Sequence, residues 1–145
     1  MKKIFLNGPG FTLIELIVVM AIMSILATIG VYSFNAYLPR HRQLAAARVV
    51  AGDLSKARIR AIKQKTDQNF HLNMNTYTIG DGTVTFIDRD FARDFDWNDL
   101  RIQTAREPTF NMNGTIDNIS TITIMCGDSD PLEITMTITG NIKIR

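Results

Sequence analysis

Glu15 is the one charged side chain in residues 11–31, a run of 21 otherwise uncharged and mostly apolar residues. A carboxylate inside an apolar span is costly unless paired or protonated, which makes such a residue a functional candidate. Four residues upstream stands Phe11, directly after Gly10. The ten residues ending in Gly10 are short and basic, with Lys2 and Lys3. A secretory signal runs from a basic start through an apolar stretch to its cleavage site. Here the order is reversed, and the apolar run follows Gly10. A cut after Gly10 would leave the hydrophobic helix on the mature chain and create an α-amino group on Phe11. On a helix, positions i and i+4 share a face. The new amine and the Glu15 carboxylate are then the two charges available to neutralise each other, within one chain or between neighbours.

Other chemistry-bearing residues are sparse. Cys126 is the single cysteine, so no intrachain disulfide is possible. With only His41 and His71 beside it, zinc-ligand spacing is lacking. Cys126 lies in the apolar stretch 122–126 and reads as a small buried hydrophobe. No nucleophile–base pattern and no phosphate loop appears. The expectation is therefore no catalytic residue, no metal and no cofactor. Residues 88–99 hold five aspartates with Phe91, Phe95 and Trp97. A calcium loop usually places a glycine at its turn, and none occurs here. The aromatic spacing suggests a short turn docked on the rest of the fold.

Several elements must position these residues. Residues 11–31 are long and apolar enough to span a bilayer as a helix, which takes roughly 20 residues. Residues 39–66 carry eight Lys/Arg against Asp53 alone, a net +7, whereas residues 67–145 carry six basic and twelve acidic residues, a net −6. A basic helix and an acidic body suggest contacts within or between subunits.

The run Gly10-Phe11-Thr12-Leu13-Ile14-Glu15-Leu16 resembles the processing site of type IV prepilins and type II secretion pseudopilins. The resemblance implies that prepilin peptidase cuts after Gly10 and methylates Phe11, and that Glu15 serves subunit assembly. It implies other pilin or pseudopilin subunits and an inner-membrane assembly platform as further partners. It places a single-pass chain in the bacterial inner membrane, its C-terminal head in the periplasm, before assembly into a pilus or pseudopilus. Two features depart from the family. Many major pilins carry a proline two-thirds along the span, whereas residues 27–31 have none and the next proline is Pro39. Counting Lys2 and Lys3 against Arg40, Arg42 and Arg48 would put the body in the cytoplasm. The resemblance implies the opposite, and is followed because the leader must face its peptidase.

Beyond the span, residues 33–66 still read as helix. Ala47, Val50, Leu54, Ala57 and Ala61 recur at spacings of three and four, giving one apolar stripe. Pro39 is expected to kink or locally interrupt this helix, and Gly52 to weaken it. After Lys65 the pattern turns to strands at 69–73, 76–79, 83–87, 100–103, 119–126, 132–139 and 142–144, separated by turn signals such as Asn113-Gly114 and Gly140-Asn141. In the last long strand Leu132, Ile134, Met136 and Ile138 alternate with polar residues, implying one buried face. The expected fold is α+β: a long N-terminal helix, membrane-spanning then amphipathic, packed on a small antiparallel β-sheet head. The expected division is a leader at 1–10, the assembly helix at 11–31, the amphipathic helix at 32–66 and the head at 67–145. The strand pattern from Phe110 onward, with the helix segment 47–61, resembles the GspH/FimT subgroup of minor pilins and pseudopilins. The alternative is a FimT-like DNA-uptake minor pilin, in which Lys143 and Arg145 beside the Gly140 turn would bind DNA.

Overall fold

The computed structural model describes residues 11–127 and 129–145, with side chains described outside residues 29–36. It divides into two compact units, Met1–Tyr37 and Leu38–Arg145. One helix, α1 (Leu13–Gln64), supplies residues to both. Helical hydrogen bonding runs through Pro39. The expected interruption is absent, a proline removing a single N–H from the ladder. The helix stops at Gln64, two residues before the expected end, where Lys65 takes a left-handed backbone with φ 55.

In the carboxy-terminal unit the head is wholly antiparallel, and its strands form two four-stranded sheets rather than one. The first has the order β3 (Thr85–Asp90), β2 (Thr76–Gly80), β1 (Gln68–Asn73), β5 (Thr109–Phe110). The second has the order β4 (Leu100–Thr104), β6 (Ser120–Cys126), β7 (Leu132–Met136), β8 (Ile142–Ile144). A short helix, α2 (Phe91–Phe95), stands where a docked turn was expected. The Asp90 carboxylate caps it by accepting from the Ala92 and Arg93 N–H groups.

The core lies where the sequence periods converge. Ala46, Ala47, Val50, Leu54, Ala57 and Ala61 of α1 are fully buried. They meet the buried alternate residues of both sheets in one cluster: Phe70, Tyr77 and Ile79 from the first; Leu100, Ile102, Ile122, Ile124, Ile134 and Met136 from the second. Along β6 every second residue is buried, including Cys126. Gln43, itself buried, donates from Nε2 to the Ile124 and Asp130 carbonyls, both at 2.7 Å, tying α1 to the second sheet.

Strand β7 ends at Met136 rather than Thr139. The expected burial of Ile138 fails with it, and Ile138 is exposed. Residues 137–141 form a tight turn, in which Gly140 N–H donates to the Thr137 carbonyl at 2.7 Å. Arg58 of α1 fixes this turn. Its Nε donates to the Gly114 carbonyl at 2.9 Å and its Nη2 to the Thr139 carbonyl at 3.1 Å.

Candidate assembly site

At the start of α1 the sequence Thr12-Leu13-Ile14-Glu15 matches a capping box. Thr12 Oγ1 accepts from the Glu15 backbone N–H at 3.3 Å, and the Thr12 carbonyl accepts from Leu16 N–H at 3.2 Å. Glu15 therefore sits in the first helical turn, where the exposed N–H groups and the helix dipole favour a negative charge. Its side chain is exposed, and among the described residues no ion pair to it is seen. Phe11 is exposed and precedes the helix. Helix α1 begins at Leu13, two residues after Phe11. Gly10 lies outside the described residues.

The remaining polar side chains of residues 11–28 turn inward on their own helix. Ser24 Oγ donates to the Met20 carbonyl at 2.7 Å, and Thr28 Oγ1 to the Ser24 carbonyl at 2.9 Å. This back-bonding satisfies hydroxyls that could not otherwise sit in an apolar medium. The large apolar residues from Leu13 to Leu26 are 44% to 76% exposed, on every side of the helix. A helix that is hydrophobic all round is one that something else buries. Among the described residues, however, no helix is long and apolar enough to cross a membrane. The stretch with described side chains ends at Thr28, and residues 13–28 rise about 24 Å, short of a bilayer core of about 30 Å.

In the carboxy-terminal unit, Asp53 of α1 is a buried polar centre. Its carboxylate accepts from Lys56 Nζ at 2.8 Å, Tyr77 Oη at 2.9 Å, and Arg89 Nη2 at 3.0 Å. Burial works against its ionisation, but the bonds from Lys56, Arg89 and Tyr77 outweigh this and hold it below the usual carboxylate range. Burial, and then the Asp53 charge, drive the Tyr77 phenol far above its ordinary value. In the sequence Asp53 stands out only as the lone acid of a basic stretch. Its place on the α1 stripe, between Val50 and Leu54, was the available signal.

The remaining candidates are dispersed. His41 lies on α1; His71 lies on β1, its Nδ1 3.0 Å from Glu107 Oε2; Cys126 ends β6. The Cys126 thiol donates to Asp99 Oδ2 at 3.3 Å, and burial, reinforced by Asp99, pushes it up to about 11. Asp99 also pairs with Arg42 of α1 at 3.3 Å. Lys143 stands on β8 opposite Thr135, and Arg145 exchanges both backbone hydrogen bonds with Glu133. An acidic residue thus faces the second of these two cations.

Residues 9–31 match the family described as the prokaryotic N-terminal methylation motif. Among solved structures, the chain is similar to the type IV minor pilin FimU of Pseudomonas aeruginosa strain PAO1 in two crystal forms. The first has a TM-score of 0.61 and 19% identity, and the match covers 73% of this chain and 90% of that one. The second has a TM-score of 0.56 and 18% identity, covering 70% and 91%. No curated protein sequence matches. The fold is type IV pilin-like. The likeness to FimU shows a shared α+β fold, a helix packed on antiparallel strands. The methylation motif occupies the segment where exposed apolar residues, the Thr12 cap and Glu15 come together.

Proposed function

We propose that this pilin-like chain is a minor pilin or pseudopilin, a structural subunit of a type IV pilus or a type II secretion pseudopilus. Prepilin peptidase removes residues 1–10, cutting after Gly10, and methylates the new N-terminus at Phe11. Residues 11–31 then anchor the chain in the inner membrane, with the head (67–145) and its helix (32–66) in the periplasm. The assembly platform lifts the subunit into the filament, where neighbouring subunits cover the apolar helix. One observation carries this reading: an apolar helix exposed on all sides, whose hydroxyls bond inward and whose one charge is Glu15. That surface suits a bilayer first and a bundle of like helices afterwards. An unpaired carboxylate in such a bundle is best satisfied by the amine that cleavage creates on Phe11 of a neighbour.

The two steps separate by mutation. Gly10→Ala leaves a full-length precursor, visible by intact mass. Glu15→Ala is processed normally, yet its amount in sheared filaments falls about tenfold or more, as loss of a desolvated ion pair implies. Wild-type recovery of Glu15→Ala would remove the role given to Glu15. The DNA-uptake alternative finds less support in the head. Counterion release needs several cations, and Lys143 and Arg145 are two, with Glu133 opposite Arg145.

A further inference from the structure

We infer that a basic groove on the outer face of α1 receives the acidic, aromatic segment around α2 of a second copy of this chain. The inference rests on the filament-subunit reading and names a head contact for it. The groove holds about 330 Å³ and is lined by Lys56, Ile59, Arg60, Lys63, Gln64 and Phe86. Its floor is apolar: Ile59 is 52% exposed, and the Arg60 guanidinium lies 4.5 Å over the Phe86 ring. Arg60 Nε is buried with no hydrogen-bond partner. Three cations and no acid line it. Lys56 bonds Asp53, but its side chain stays 66% exposed. Such a slot suits a carboxylate carried beside an aromatic ring.

This chain displays that chemistry itself. Residues 88–99 carry five aspartates against Arg89 and Arg93, a net −3 opposite in sign to the groove. Phe95 is 38% exposed and stacks on Trp97 at 4.8 Å between ring centres. Asp96 follows it on a left-handed residue and is exposed, held by Asn98 Nδ2 at 3.2 Å. A ring and a carboxylate thus stand side by side at the surface.

Position along α1 selects a second copy over self-contact. Within one chain the acidic segment meets α1 at Arg42 and Asp53, through Asp99 and Arg89. The groove begins at Lys56 and runs to Gln64. The centres of the two stretches are offset by about 20 Å along the helix, at 1.5 Å per residue, although their near ends meet at the Asp53–Lys56 pair. Two different patches offset along an axis make a heterologous contact, and such contacts repeat into open filaments.

Cysteine cross-linking of the full-length chain in its host tests this. Ile59→Cys and Phe95→Cys are combined, with native Cys126 buried and silent. Oxidation with copper phenanthroline should give a dimer from the double variant and from neither single one. Adding Lys63→Glu should cut dimer yield about tenfold, and adding Asp96→Lys to that should restore it, since like charges oppose docking and the swap relieves them. No dimer in chains recovered from filaments, dimers from a single variant, cross-links to a different subunit only, or indifference to charge reversal would each overturn the contact. Processing and filament incorporation of the wild-type chain are scored in the same cells. Their failure overturns the assembly reading, whereas normal incorporation without the dimer overturns this surface alone.

Discussion

Asp53 illustrates how a buried charge is retained. Its carboxylate binds three donors from α1, β2 and β3, so removing its charge leaves Lys56 without its anion and Arg89 with Asp94 alone, at 3.6 Å. Lys56 and part of Arg89 reach water, which limits the cost. Asp53→Asn is therefore expected to lower stability by about 2 kcal/mol at neutral pH. The sign of its pH dependence follows from the lowered folded value. Its contribution is complete above the unfolded carboxylate value, about pH 4, and is lost as pH falls below that through the folded value. Acid unfolding followed by circular dichroism should show a shallower low-pH loss in Asp53→Asn than in wild type. Equal acid limbs would dismiss the network as a stability element. Gly140 is the backbone counterpart. It has φ 74, and a Cβ there would lie 2.2 Å from the Gly114 carbonyl oxygen and 2.7 Å from Arg58 Nε. Gly140→Ala is expected to cost about 2–4 kcal/mol, read as a drop in thermal midpoint. The Gly140 turn is legible in the sequence. The Arg58 clasp is not, because a guanidinium that donates to two distant carbonyls leaves no local pattern.

At the scale of elements, the long-period signals were legible. The stripe from Ala47 to Ala61 is buried at every position named, because 3.6-residue spacing fixes a helix face whatever it meets. Seven strands were placed with ends within about two residues, the β3 and β7 ends apart. The eighth, β5, is two residues long and carries no period; it exists because Gln68–Asn69 of β1 offers an edge to Thr109–Phe110. The split into two sheets is equally nonlocal, since alternation fixes which side is buried but not which strand is the neighbour. Helix α2 was hidden because five residues cannot display a helical repeat; its Asp90 cap was the readable trace. Gly52 looked weak in the sequence, and the structure bears on why it is replaceable. A Cβ there meets nothing within 4 Å. Gly52→Ala should stabilise the helix by about 0.5–1 kcal/mol and raise the thermal midpoint. An unchanged or lower midpoint would mean that the outer face of α1 at residue 52 needs a bare backbone.

For the whole molecule, the two compact units divide the labour. The carboxy-terminal unit closes its own core with alternating strands and an alanine-rich helix face. Among the described residues of the amino-terminal unit, the apolar side chains from Leu13 to Leu26 lie open and the Ser24 and Thr28 hydroxyls bond carbonyls of their own helix. The sequence made the motif from Gly10 to Glu15 legible because it is local and ordered. It could not show that Thr12 caps the helix through the Glu15 N–H, or that Phe11 precedes the first helical residue. The claim that joins the two units is that the chain is cut after Gly10 and built into a filament through the exposed helix. Intact-mass measurement of the chain recovered from sheared filaments of a peptidase-positive host tests it most directly. The account predicts a chain beginning at Phe11 and carrying one added methyl group. A chain that still begins at Met1, found in the membrane and missing from the filaments, would contradict it.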